Sequence, residues 1–250
     1  FCRAPLGCMD GRRTQQMILR SCCGILAVSF VLTAGRDLVA DDLANDAKVD
    51  AGAIRLAVQK SIPVLEAGTM GSAKERQCFT CHSQAVPVFA LAAASQRGFE
   101  IDKDNFAKQI RHTLAHLERG KADYLQGKPQ GGQVLTAGYA LWTLEDGQHP
   151  ADETTAAVAH FLLEYQKERT HWVHRGNRPP TSGSDFTATY VTIRGLHHYA
   201  TDEQRDAVTA RIKTVGEWVL KEVPKETEDH VFRLKILPYL EAPPETTESA

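Results

Sequence analysis

Apolar residues recur at helical spacing along most of this chain, and no run keeps the strict alternation of a half-buried strand. Over residues 51–65, Ile54, Leu56, Val58, Ile62 and Leu65 predict a first helix with a kink at Pro63. The cluster Gly68-Thr69-Met70-Gly71-Ser72 predicts a break after it. A second run, Val86, Val88, Phe89, Leu91, Ala92 and Ala93, stops at Gly98. A third resumes over residues 101–117 with Asp102 as N-cap and Phe106, Ile110, Leu114 and Leu117 on one stripe. Similar pairs follow at residues 135–144 with 151–165 and 186–199 with 203–223, and residues 230–240 offer a terminal helix. The expected fold is all-α, a stack of about four helical hairpins over residues 41–240.

The starts of the later pairs look alike. Leu135-Thr136-Ala137-Gly138-Tyr139 stands 51 positions before Phe186-Thr187-Ala188-Thr189-Tyr190, the spacing of a repeat of stacked hairpins. The competing reading is two amphipathic helices of similar composition. Between the hairpins the longest irregular stretch is RGNRPPTSGSD, residues 175–185, expected to line a mouth or pocket of the helical scaffold. The segment 241–250 is rich in Pro, Glu and Thr and reads as a disordered tail.

The N-terminal region carries a different signal. Met17 is followed by Arg20 and an apolar run over residues 22–34 that is too short for a membrane span. Residues 1–40 therefore read as a leader, an over-extended start plus a secretory signal, with cleavage expected near Ala40. An uncleaved anchor is the alternative. Export to the periplasm or beyond follows, with no stable membrane span after cleavage. Cleavage changes the cysteine inventory, because Cys2, Cys8, Cys22 and Cys23 lie in the leader and only Cys78 and Cys81 remain. It also leaves 24 basic against 29 acidic residues, a balance of about −5 that favours neither nucleic acid nor an anionic membrane as partner.

The remaining pair sits in Cys78-Phe79-Thr80-Cys81-His82, a C-x-x-C-H sequence. Two thiols three positions apart match the two vinyl groups of one porphyrin, and the adjacent imidazole can reach the iron, so the segment reads as a c-type haem attachment with His82 as proximal ligand. A structural disulfide remains open in an oxidising compartment. A thioredoxin-like centre would need a strand before the motif, and a zinc site a second tight ligand pair, for which His112/His116 and His171/His174 are the candidates. For a sixth iron ligand the candidates are Met70, the only methionine after the leader, and His112 or His116, four apart on one helical face. The other reading of the two histidines is solvated surface residues beside Arg111 and Glu118. An open sixth position would permit small-ligand chemistry; two protein ligands imply electron transfer to a redox partner.

A second pattern lies at Phe161-Leu162-xxx-Gln166-xxx-Thr170-His171-Trp172. It resembles the QW repeat of squalene-hopene cyclases, with Thr170 in place of the usual glycine, and the resemblance extends over roughly residues 100–240. It implies the α/α toroid shared by terpenoid cyclases and protein prenyltransferases, here a partial one, with Gln166 bracing a helix end to the tryptophan-bearing loop. The CHSQ segment with the later Arg-Pro-Pro run is also similar to exported bacterial proteins that join a haem-type motif to such repeats. The D-x-D-D acid of the cyclases is missing, Asp41-Asp42 and Glu228-Asp229 being only pairs, and no prenyltransferase zinc set is present. Cyclase activity is not expected, and no catalytic acid or base stands out. The alternative function is a toroid-fold enzyme or binding protein for an apolar or polysaccharide ligand, with the CxxC as a disulfide. Trp142, Trp172, Trp218, His171, His174 and Arg178 are candidates to line its pocket, with ordinary aromatic packing the competing account of the tryptophans.

Overall fold

The computed structural model describes residues 50–176 and 178–240. The expected leader at 1–40 and tail at 241–250 lie outside the described residues. Eight α-helices make up the described chain: α1 Ala51–Glu75, α2 Val86–Gln96, α3 Lys103–Tyr124, α4 Gln133–Asp146, α5 Glu153–Glu164, α6 Asp185–Tyr199, α7 Arg205–Lys221 and α8 Thr227–Ile236. A π-helical turn, Cys81–Ala85, leads into α2, and 3-10 turns at Asp202–Gln204 and Leu237–Leu240 flank α7 and α8. No strand occurs among the described residues, as the periodicity predicts.

Local chemistry fixes most helix starts. The carboxylate of Asp102 accepts from Asn105 N–H at 2.9 Å to open α3, and Asp152 and Thr155 form a reciprocal capping box at α5. Ser184 caps α6 through Phe186 N–H at 3.0 Å. The stop at Gly98 is a left-handed residue, φ +76°, which glycine adopts without Cβ strain. One boundary differs from expectation. The cluster at residues 68–72 does not break the first helix, which runs on to Glu75 and delivers the chain directly into the CxxCH segment. A helical glycine costs about 1 kcal/mol, and here it is opposed by tertiary anchoring: Thr69 is fully buried and its hydroxyl accepts from Asn105 Nδ2 at 3.1 Å.

Successive helices pack into two layers. In one, α2, α4, α6 and α8 lie side by side; in the other, α1, α3, α5 and α7 do the same, so each hairpin contributes one helix to each layer. The α4–α6 seam is the most extensive and carries the 51-residue correspondence. Tyr139 reaches Thr181 just before α6, and at the far end the Tyr199 hydroxyl donates to His149 O at 3.0 Å, so the two helices run parallel. Glycines set their separation: a Cβ on Gly138 would meet Val191 Cγ2 at 2.6 Å and its backbone carbon at 2.8 Å. Gly138→Ala is therefore expected to lower stability by about 1–2 kcal/mol in urea unfolding, overpacking outweighing the better helix propensity of alanine. A neutral or stabilising result would mean that the seam can open. No described helix is long and apolar enough to cross a membrane.

Candidate haem-attachment site

In a stack of hairpins the helices of one layer run parallel, so their N-termini meet at one end. The CxxCH segment opens the first helix of its layer and lies at that end, beside the start of α4, where the Cys81 thiol faces the Thr136 hydroxyl. The π-helical turn puts Cys81 and His82 on its first two positions. Such turns insert one residue per bond and recur at functional sites. Cys78 and His82 are exposed, whereas Cys81 packs against the core. Burial pushes the Cys81 thiol up to about 12, against the opposing pull of its backbone hydrogen bond, Arg178 and Thr136. It is a thiol at neutral pH, a poor nucleophile once folded.

The α3 helix holds this segment. His112, His116 and Arg119 stand at i, i+4 and i+7, one face of the helix. His112 Nε2 lies 3.5 Å from the carbonyl of Cys78, the Arg119 guanidinium donates to the carbonyl of Gln77, and the ring of His116 stacks on Phe79 at 6.1 Å. His116 is not the solvated residue that its neighbours Arg111 and Glu118 suggest. It is 8% exposed, its Nε2 has no hydrogen-bond partner, and burial, with Arg119 and His112 nearby, lowers it to about 4.

Behind the motif runs a buried chain of amides. Thr80 N–H donates to Gln84 Oε1 at 2.9 Å, Gln84 Nε2 to Gln109 Oε1 at 3.3 Å, Gln109 Nε2 to Asn105 Oδ1 at 3.0 Å, and Asn105 Nδ2 to Thr69 Oγ1. It ties the motif through α3 to α1. Of the apolar stripe predicted for α3, Leu117 is fully buried and Phe106, Ile110 and Leu114 are partly so, and the polar row of Asn105, Gln109 and Thr113 is buried as well. Polar side chains on a helix read as solvent-facing, and only the spacing of Asn105, Gln109 and Thr113 pointed to a buried row.

The irregular connection before α6, expected to line a mouth or pocket, touches the motif at His82. Thr181 Oγ1 and His82 Nε2 are hydrogen bonded at 2.8 Å, and Thr181 O accepts from the Tyr139 hydroxyl at 2.8 Å. The buried Glu228 of α8 accepts from Gly183 N–H at 3.1 Å and from the Thr187 hydroxyl at 2.5 Å. Asp185 accepts from His174 N–H at 2.9 Å, with His174 Nδ1 at 2.6 Å and His171 Nε2 at 3.4 Å. Burial would raise this carboxyl, but those contacts hold it down at about 2.

Gln166 braces the start of the connection: its Nε2 donates to Val173 O at 3.2 Å and its Oε1 accepts from Val173 N–H at 2.8 Å. Trp172 beside it is fully buried, its indole N–H donating to Leu162 O at 2.9 Å. Arg211, which sequence reasoning passed over, lies 4.6 Å over that ring and donates to the carbonyls of Gln166, Lys167 and Arg169. The pocket expected from the three tryptophans and their neighbours does not assemble. Trp142 is sandwiched between Phe89 at 4.0 Å and Arg194 at 4.5 Å, and Trp218 stacks on His171 at 3.9 Å, so ordinary packing accounts for them. A cleft of about 740 Å³ lies instead between α6, α7 and the last 3-10 turn, with Leu196, Val208, Ile212, Leu220 and Tyr239 among its walls.

The donor chemistry of the motif fits a covalently held porphyrin. Two thiols and an imidazole lie within a few residues, His82 and Cys78 open to solvent, and the buried His116 ring behind Phe79 carries an unpartnered nitrogen. Met70 lies on an exposed position of α1 rather than on a loop, and His112 Nε2 is engaged at the Cys78 carbonyl. Among the described residues no group of three or more His, Cys, Asp or Glu side chains is arranged to hold a metal ion by itself. No family model matches this chain, and neither a curated protein nor a solved structure matches it.

Proposed function

We propose that this is an exported haem c protein of electron transfer or redox sensing, built on a partial α/α toroid of helical hairpins. The observation that carries the reading is the placement of Cys78, Cys81 and His82 together at the opening of one layer, under a loop whose Thr181 hydroxyl occupies the His82 ring nitrogen. In this reading Cys78 and Cys81 hold the porphyrin by thioethers and His82 is the proximal iron ligand; the bound group would supply one-electron chemistry. The chain's own contribution is orientation. The α3 face fixes the backbone at Gln77 and Cys78, Gln84 fixes Thr80, and Thr181 orients the His82 ring, yielding its hydrogen bond when the nitrogen is ligated.

The test is a pyridine haemochrome spectrum of the protein exported from cells equipped for cytochrome c maturation, after acid–acetone extraction of loose haem. A c-type spectrum that survives extraction is expected, with His82→Ala losing the native low-spin spectrum and Cys78→Ser/Cys81→Ser losing retained haem altogether. A colourless wild-type protein would overturn the reading. It would leave the apolar cleft beside α7 as the place to seek a ligand and the two cysteines as a structural pair.

A further inference from the structure

A second cleft, about 310 Å³, lies where the end of α1 meets α3, beside Cys78, with Lys74, Arg76, His112 and Arg119 on its walls and Glu75 as its one carboxylate. The elements that build it are the continuation of α1 through residues 68–75 and the α3 face that grips the motif. Had α1 stopped at Gly68, Lys74 and Arg76 would not have been brought to this edge. None of Lys74, Arg76 and Arg119 takes part in an ion pair among the described residues. Arg119 spends part of its guanidinium on the Gln77 carbonyl and keeps further N–H donors.

Two guanidinium groups and one ammonium group against one carboxylate in a concave site focus a positive potential there, and a guanidinium fork matches the two oxygens of a carboxylate. The terminal carbonyls of α1 oppose this, and Lys74 in its last turn offsets them. The volume is at the small end for a ligand pocket, enough for a small polycarboxylate or the carboxylate end of something larger.

We propose that this cleft binds carboxylate anions next to the CxxCH segment. Two sources share that chemistry: the propionate groups of a porphyrin held at Cys78 and Cys81, which rests on the function proposed above, and a free polycarboxylate, which does not. Citrate is the probe, titrated calorimetrically at about 0.1 M salt into the full haem-free chain, the haem-loaded protein and a Lys74→Gln/Arg76→Gln variant. Both side chains are exposed at the end of α1 and make no described hydrogen bond, so the variant should keep its helical circular dichroism. The haem-free wild type is expected to bind citrate saturably, with affinity falling as salt is added and at least about tenfold lower in the variant. Loss of citrate binding on haem loading assigns the cleft to the propionates; unchanged binding assigns it to a separate anion. If no haem can be loaded, the haem-free comparison still decides. Absence of saturable binding, or equal affinity in wild type and variant, would overturn the proposal.

Discussion

Trp172→Ala is expected to cost about 3–5 kcal/mol of unfolding free energy, among the largest losses from any single substitution in this chain. The indole is fully buried and holds two groups, the carbonyl of Leu162 near the end of α5 and the guanidinium of Arg211 from α7, while the backbone of the same residue bonds the Thr189 hydroxyl of α6. Alanine leaves a large cavity and an unpaired buried carbonyl, two separate penalties. Trp172→Phe separates them, since it fills most of the cavity and restores no donor, and should lose roughly a third to a half as much. Urea midpoints for the two variants give the comparison, and a loss below about 1 kcal/mol for the alanine variant would show that α5 and α7 are not joined through this ring.

Acidification is expected to weaken the haem-free chain through His116. An unfolded histidine titrates near 6.5, and the buried His116 ring near 4. Between those values the unfolded chain takes up a proton that the folded one refuses. The stabilisation is thus complete above about pH 6.5, falls as the pH drops toward 4, and is flat below it. At about 1.4 kcal/mol per unit the loss between pH 7 and pH 5 comes to about 2 kcal/mol. His116→Phe keeps an aromatic ring against Phe79 and removes the proton site, so the difference in pH dependence between wild type and variant isolates this group. Parallel pH profiles for the two would mean that the ring is hydrated or paired when folded.

The candidate site was legible only in part. Cys78, Cys81 and His82 announce themselves by spacing, and the loop at residues 175–185 by its Pro and Gly content and its length. The partners that hold them do not. Glu228 lies far along the chain from Gly183 and Thr187, and Gln84, Gln109 and Asn105 look like helix-surface residues until their amides are seen to meet. His112 and His116 drew notice as ligand candidates, yet in the fold one lies at a motif carbonyl and the other packs on a motif ring.

Helical periodicity, N-cap residues and Gly98 determined by themselves that the described chain is a succession of hairpins, because those signals act over one or two turns and need no distant partner. The likeness between residues 135–139 and 186–190 placed α4 and α6 in equivalent roles, though not their close contact through Gly138. What only the tertiary structure decided were the features whose energy comes from residues far apart in the chain. The unbroken passage of α1 through two glycines depends on Thr69 meeting Asn105, and the neutral state of His116 depends on burial among groups that the motif and α3 bring together. Local propensities of about 1 kcal/mol per residue are small enough for such contacts to overrule, and they did so next to the motif.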